Sequence, residues 1–320
     1  MRNMLAFVFL AVVALLTTAW FAFVPAPVEP GYRFVARWGE PGDAPGQFSD
    51  PTGIAVTGDR VFVADARNGR IQVFDRDGSL LYAFGQPGDA AGELGRPMNL
   101  HVHDDELYVA EYFNDRVQIF ALNGASRRMI GASGDGPGQF DSPGGVAVDA
   151  QGAIYVADFY NQRVQKLSAD GQFIRQWGDT GRIGIGAGRF NYPTDVAIGP
   201  DGFLYVADGY NDRIQVFDAD GVAVRKWGGP LGMNISGPFN GWFSTVTGVA
   251  VDTDGNVFVA DFHNHRVQKF SRDGEFLTSF GEPGTGPGQF DRPLAVAVAD
   301  NGDVYVTDFG NNRVQKFSPK

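Results

Sequence analysis

Short apolar runs alternate with polar turns along the chain, and the pattern recurs. From Leu204 it reads LYVADGYNDRIQVF: an apolar run, a polar turn, then a second run with every other position apolar. The same line appears as VFVADARNGRIQVF from Val61, LYVAEYFNDRVQIF from Leu107, IYVADFYNQRVQKL from Ile154, VFVADFHNHRVQKF from Val257 and VYVTDFGNNRVQKF from Val304. Its acidic residue falls at Asp65, Glu111, Asp158, Asp208, Asp261 and Asp308, at intervals of 46, 47, 50, 53 and 47 residues. A fixed period of this length marks a repeat architecture in which each unit buries its apolar face against the next.

Each unit predicts four strands. The first is small and apolar, as in Gly53–Val56. The second is aromatic and β-branched, as in Leu204–Ala207. The third follows the D-x-x-N-x-R turn, as in Arg213–Phe217. The fourth ends in an aromatic–glycine pair such as Trp177-Gly178 or Phe280-Gly281. Four-stranded units repeated radially predict an all-β, six-bladed propeller of antiparallel blades. The sixth unit stops after its third strand. Gly31–Gly39 ends like Gly274–Gly281, and EPGDAPGQF from Glu40 matches EPGTGPGQF from Glu282. The N-terminal strand is therefore expected to complete the last blade, which removes an open edge.

The D-x-x-N-x-R-V-Q core over Gly31–Lys320 resembles the NHL-repeat family of six-bladed propellers. That resemblance implies the fold; it implies function weakly, because NHL domains occur as RNA-binding modules, protein-binding modules, extracellular sensors and amidating lyases.

Composition narrows the field. The chain has no cysteine, so a disulfide framework, a thiolate metal site and a cysteine nucleophile are excluded. A net charge of -11 repels phosphate backbones, which argues against nucleic acid as a partner. Residues 3–28 carry no charge, and Met4–Leu16 is almost wholly aliphatic. Residues 1–28 therefore read as one hydrophobic N-terminal helix, a transmembrane anchor or, alternatively, a cleaved signal peptide, ahead of a propeller at 29–320. Both readings put the propeller outside the cytoplasm, in the cell envelope or secreted.

The six Asp-x-x-Asn-x-Arg sets read as scaffold: a reaction centre needs one arrangement, and side chains of this kind satisfy turn amides. The Asp-x-Asp-Gly turns read as hairpins, since they lack the downstream Glu of a calcium loop. No cofactor, metal or catalytic set is assigned. Function is expected where the copies differ, on the face carrying the second-to-third-strand turns and the connections between blades. Arg67, Tyr112, Phe113, Phe159, Tyr160, Tyr210, Phe262, His263 and Phe309 occupy those turns, and turns ordinarily select polar residues. The longer connections, Gly178–Asn191 and Gly228–Thr245, add Trp242. Together they predict a surface for a protein, peptide or glycan. Asn99, His101 and Asp195 replace Gly or Ala in the first strands and are expected at the channel mouth. A lyase or hydrolase using His101, His263, Asp195 or Arg67 is the rival reading, and RNA binding a third.

Overall fold

The computed structural model describes residues 24–320. Six four-stranded antiparallel sheets form six blades. The first blade runs from the innermost strand outward as Pro51–Thr57, Arg60–Asp65, Arg70–Asp75 and Leu80–Phe84. The second follows as Pro97–His103, Glu106–Glu111, Arg116–Ala121 and Ser126–Ile130. The sixth takes three strands from the C-terminus (Pro293–Val298, Val304–Asp308, Arg313–Pro319) and its outermost from Tyr32–Trp38. The pairing runs from Tyr32 opposite Pro319 to Trp38 opposite Val314, so the ring closes as the sequence predicts.

The core is divided among the seams. Each of six apolar clusters is shared by two neighbouring blades. At the seam of blades one and two, for example, Phe62 and Ile71 pack with Leu100, Leu107 and Phe120. The second and third strands are buried on both sides, which explains their near-continuous apolar runs.

The repeated polar residues clamp each blade to the connection that precedes it. In blade four, Asp208 accepts hydrogen bonds from Arg213 Nε at 2.8 Å, Asn211 Nδ2 at 2.9 Å, Gln215 Nε2 at 2.9 Å and the Asn191 N–H at 2.8 Å. Arg213 then donates to the carbonyls of Ile185, Gly186 and Arg189. Each Arg pairs with the acidic residue of its own blade, and both lie inside the fold. The Asp-x-Asp-Gly turns are hairpins: Asp75 accepts from the N–H groups of Asp77 and Ser79.

A second device links neighbouring blades. The residue between the motif's Asn and Arg has left-handed backbone, as does the residue just before each innermost strand. The side chain of the first accepts the N–H of the second across five seams: Asp115 to Ser142, Gln162 to Tyr192, Asp212 to Thr245, His265 to Arg292 and Asn312 to Asp50. At the seam of blades one and two the first position is Gly69, which has no side chain to offer.

The predicted anchor or signal at 1–28 lies mostly outside the described residues. Among the described residues no helix is long and apolar enough to cross a membrane. Residues 25–30 run along blade five, where the Val28 and Glu29 N–H groups donate to the Leu277 carbonyl.

Candidate functional site

At the loop face, the innermost strands surround an axial cup of about 360 Å³. Its wall is Tyr112 and Phe113 from blade two and Phe159 from blade three. Its rim includes Arg96, and its floor Met98, Asn99, Thr194, Thr247, Leu294 and Ala295. Below lies a narrower channel of about 160 Å³, walled by aliphatic residues such as Val146, Val196 and Val249, with His101 among them. Asn99 borders both spaces and so stands at the step between them.

The rim aromatics form two arcs. The longer runs from Phe113 through Tyr112, Phe159 and Tyr160 to Tyr192 and Tyr210. Its ring centroids are 5.6 Å apart for Phe113–Tyr112, 4.8 Å for Phe159–Tyr192 and 5.2 Å for Tyr192–Tyr210. Burial and the Tyr160 hydroxyl raise the Tyr112 phenol far above its ordinary range, so it stays a neutral donor. The shorter arc joins His263, Phe262 and Phe309, with centroids 4.9 and 6.3 Å apart. Between the arcs, blade one contributes Ala66 and Arg67 instead of rings.

There the surface is charged. Arg67 Nε pairs with Asp50 at 2.5 Å, and Arg96 Nη2 lies 3.7 Å from the same carboxylate. The Arg96 guanidinium also stands 5.7 Å from the centroid of Phe113. Beside it, over the seam that lacks the side-chain link, a groove of about 460 Å³ is lined by Arg67, Gly69, Pro87, Asp89, Arg96 and Phe113, among others. Among the described residues nothing accepts the Arg96 N–H, whose counterparts in the other five blades are all capped. A Cβ on Gly69 would come within 2.7 Å of the Pro87 nitrogen, so this seam has no room for a capping side chain of its own.

The sequence-predicted residues thus separate into groups. Tyr112, Phe113, Phe159 and Asn99 meet at the cup, and Arg67 reaches the adjoining groove. Tyr160 and Tyr210 are exposed along the same arc, and Phe262, His263 and Phe309 stand in the other arc. Trp242 lies apart: its ring meets Phe239 edge-on at 5.2 Å, and its carbonyl receives Arg266 and Gln268. Arg96, Met98 and Tyr192 were missed. They occupy repeat positions where the copies also disagree, but no aromatic-at-a-turn signal draws attention to the first two.

Asp195 is buried, not on the channel mouth. Its oxygens accept the N–H groups of Val196 at 2.8 Å and Val249 at 2.9 Å, while the Asn99 amide faces it. Burial pushes its pKa up to about 7, against those hydrogen bonds. Gly145 makes this possible, since a Cβ there would meet Asp195 Oδ1 within the distance of a clash. His101, enclosed in the channel and near His103, has its pKa pushed down to about 4, so the imidazole is neutral at physiological pH. His263 is exposed on the rim, one level above. Among the described residues no three His, Asp or Glu side chains converge as metal ligands would.

Comparison with known proteins places this geometry in a family. The NHL-repeat model matches residues 48–74, 140–167, 190–217, 243–270 and 290–317. Those segments leave out blade two, where Glu111 replaces Asp and His101 replaces Ala. A relative by sequence is Protein brain tumor of Drosophila melanogaster, 44% identical over 48 residues; the match covers 15% of this chain and 5% of that protein. Among solved structures, a catalytically inactive virginiamycin B lyase from Staphylococcus aureus, crystallised with quinupristin, superposes with a TM-score of 0.58 at 19% identity over 87% of each chain. A structural-genomics protein of unknown function from Bacteroides thetaiotaomicron gives 0.67 at 18% identity, over 90% of this chain and 76% of that one. The WD40 propeller domain of Doa1 gives 0.63 at 14% identity, over 91% and 98%. At these identities the likeness is one of fold.

Proposed function

We propose that this chain, an NHL-repeat propeller, is a recognition scaffold that holds a peptide segment of a partner protein in the cup and along the adjoining groove. The supporting observation is where the site comes from. Five of the cup's lining residues, Arg96, Met98, Asn99, Tyr112 and Phe113, belong to blade two, the blade outside the matched repeats. Scaffold residues stay alike from blade to blade, whereas a recognition site needs its blade to differ.

The chemistry of the site selects the ligand. The aromatic wall and apolar floor suit an inserted aromatic or aliphatic side chain, and the rigid ring keeps the ordering cost of binding low. The uncapped Arg96 N–H asks for an acceptor, and the Arg67 and Arg96 guanidiniums favour a carboxylate there. Asp50 and Asp89 balance those charges, so the groove selects one well-placed acidic group, not a polyanion. The ligand class is a peptide with an apolar anchor next to an acidic residue. This reading keeps the propeller outside the cytoplasm, tethered by its N-terminal segment.

A lyase or hydrolase would work at the channel mouth with His101, His263, Asp195 or Arg67, and at least two of them would have to meet at one reacting centre. They lie in the channel, on the rim, inside the wall and over the outer groove, so binding is the better account of this geometry. The acidity of the chain disfavours RNA.

Selection of displayed random peptides on the immobilised protein tests the proposal. Binders should pair an acidic with a large apolar residue and lose affinity for Phe113→Ala and for Arg96→Ala. Binders indifferent to both substitutions would refute it.

A further inference from the structure

The loop face is not uniform at its periphery. Four connections between blades are polar and small: residues 40–47, 86–93, 132–139 and 282–289 contain no Ile, Leu, Met or Val. The other two break this pattern. The connection from blade three to four carries Ile183 and Ile185, 57% and 61% exposed. The one from blade four to five carries Met233 and Ile235, 55% and 45% exposed. The stretch 227–251 that contains the second pair has no charged residue.

These connections are neighbours. The buried Arg213 guanidinium donates to the Ile185 carbonyl at 2.6 Å and reaches the Gly232 carbonyl at 3.5 Å, so one side chain fixes both loops. Four large apolar side chains thus share one edge of the loop face, and apolar surface gathered in this way marks an interaction site.

The path of the chain says what covers it. Asn240 Nδ2 donates to the Pro25 carbonyl at 3.1 Å, and Pro25 rests against Gly241. The Gly241 carbonyl accepts the Gly229 N–H at 3.1 Å within the same loop. The chain therefore enters the propeller at the loop that bears Met233 and Ile235. Ahead of Pro25 are 24 residues whose one charged side chain is Arg2.

We propose that this edge of the loop face lies against a lipid bilayer, on the side where the apolar N-terminal segment enters. Ile183, Ile185, Met233 and Ile235 sink into the interfacial region, and Tyr160 and Tyr210 border them at headgroup level, where amphipathic rings are favoured. One apolar segment alone leaves a tethered domain free to tumble; a second apolar contact beside it fixes the tilt. The blade-one and blade-two side, with the arginine groove and the Tyr112–Phe113 wall of the axial cup, is then turned away from the lipid and open to a partner. This inference rests on the tethering by the N-terminal segment proposed above, not on peptide binding in the cup, and uses different residues.

The absence of native cysteine makes the test direct. The full chain is reconstituted into phosphatidylcholine vesicles with one introduced cysteine carrying an environment-sensitive fluorophore. The positions are Ile185→Cys, Met233→Cys and, on the opposite face, Asp254→Cys; the vesicles contain a lipid with a quencher near the headgroup. Quenching several-fold stronger at 185 and 233 than at 254 is expected. In a chain labelled at Ser236→Cys, replacing Ile183, Ile185, Met233 and Ile235 with Ser should cut quenching roughly tenfold. Equal quenching at all three sites, or stronger quenching at 254, overturns the proposal, as does quenching at 236 that survives the four substitutions. Arg96→Ala and Phe113→Ala, which disable the cup, should leave the quenching pattern intact.

Discussion

Asn312 Oδ1 accepts the backbone N–H of Asp50 at 3.0 Å although the two residues stand 262 positions apart. This bond crosses the seam where the ends of the chain meet, next to the sixth blade's closure by Tyr32–Trp38. Asn312 has a φ of 51°, which glycine adopts without strain. Asn312→Gly thus removes the link and leaves the backbone path unchanged. A loss of about 1 kcal/mol in urea unfolding is expected, with faster amide exchange at Asp50 than at Ser142, whose link to Asp115 is untouched.

Two enclosed groups, Asp195 in the wall and the half-buried His101 in the channel, should give opposite pH dependences. Asp195, pushed up to about 7 from an ordinary 3.8, binds a proton in the folded state that the unfolded chain has released, so its contribution to stability falls as pH rises through that window. His101, pushed down to about 4 from 6.5, stays neutral in the fold while the unfolded chain protonates, so its contribution rises with pH over nearly the same range. Each slope is on the order of 1.4 kcal/mol per pH unit, and in the native protein they oppose one another. Relative to wild type, His101→Ala should tilt the stability profile between pH 4.5 and 6.5 downward with pH, and Asp195→Gly should tilt it upward. Urea titrations at several pH values read both; parallel profiles for all three proteins would contradict the assignment.

The acidic–arginine clamps should be far more sensitive than the surface arginines. Asp208 and Arg213 are both fully buried, so Asp208→Ala strands a guanidinium in the interior at a cost of about 3–5 kcal/mol. The loops it holds, with Ile185 and Gly232, should lose protease resistance first. Arg67, two-thirds exposed, pairs with Asp50 at the surface, and Arg67→Ala should change stability by less than about 1 kcal/mol. Limited proteolysis and thermal unfolding of the two variants separate the cases.

The ring, its six blades and its closure were legible in the chain because they rest on local patterns repeated six times: period-two apolar runs, Asp–Gly turns and the Asp-x-x-Asn-x-Arg motif. The link formed by Asn312 and its four counterparts was not. It joins two variable positions whose common trait is a left-handed backbone, and its acceptor is Asp twice and otherwise Gln, His or Asn, so no single residue type marks it. Gly69, the exception that leaves the Arg96 N–H uncapped, looks like an ordinary turn glycine in sequence. Asp195 was expected at the channel mouth because it replaces glycine there; Gly145 opposite lets it turn into the wall and bond Val249. Trp242 drew attention as an aromatic in a long loop, yet it packs on Phe239 within its own connection.

The claim that the blade-two cup is the recognition site is tested most directly by titrating an amphipathic aromatic anion, anilinonaphthalene sulfonate, into the protein and following its fluorescence. Its ring system matches the apolar floor, and its sulfonate stands in for the ligand's carboxylate at Arg96. Saturable binding is predicted to weaken at least roughly tenfold in Arg96→Ala and in Phe113→Ala, the loss of one charged or aromatic anchor, and to be unaltered in Leu81→Ala, outside the cup. Equal affinity for wild type, Arg96→Ala and Phe113→Ala would contradict the account.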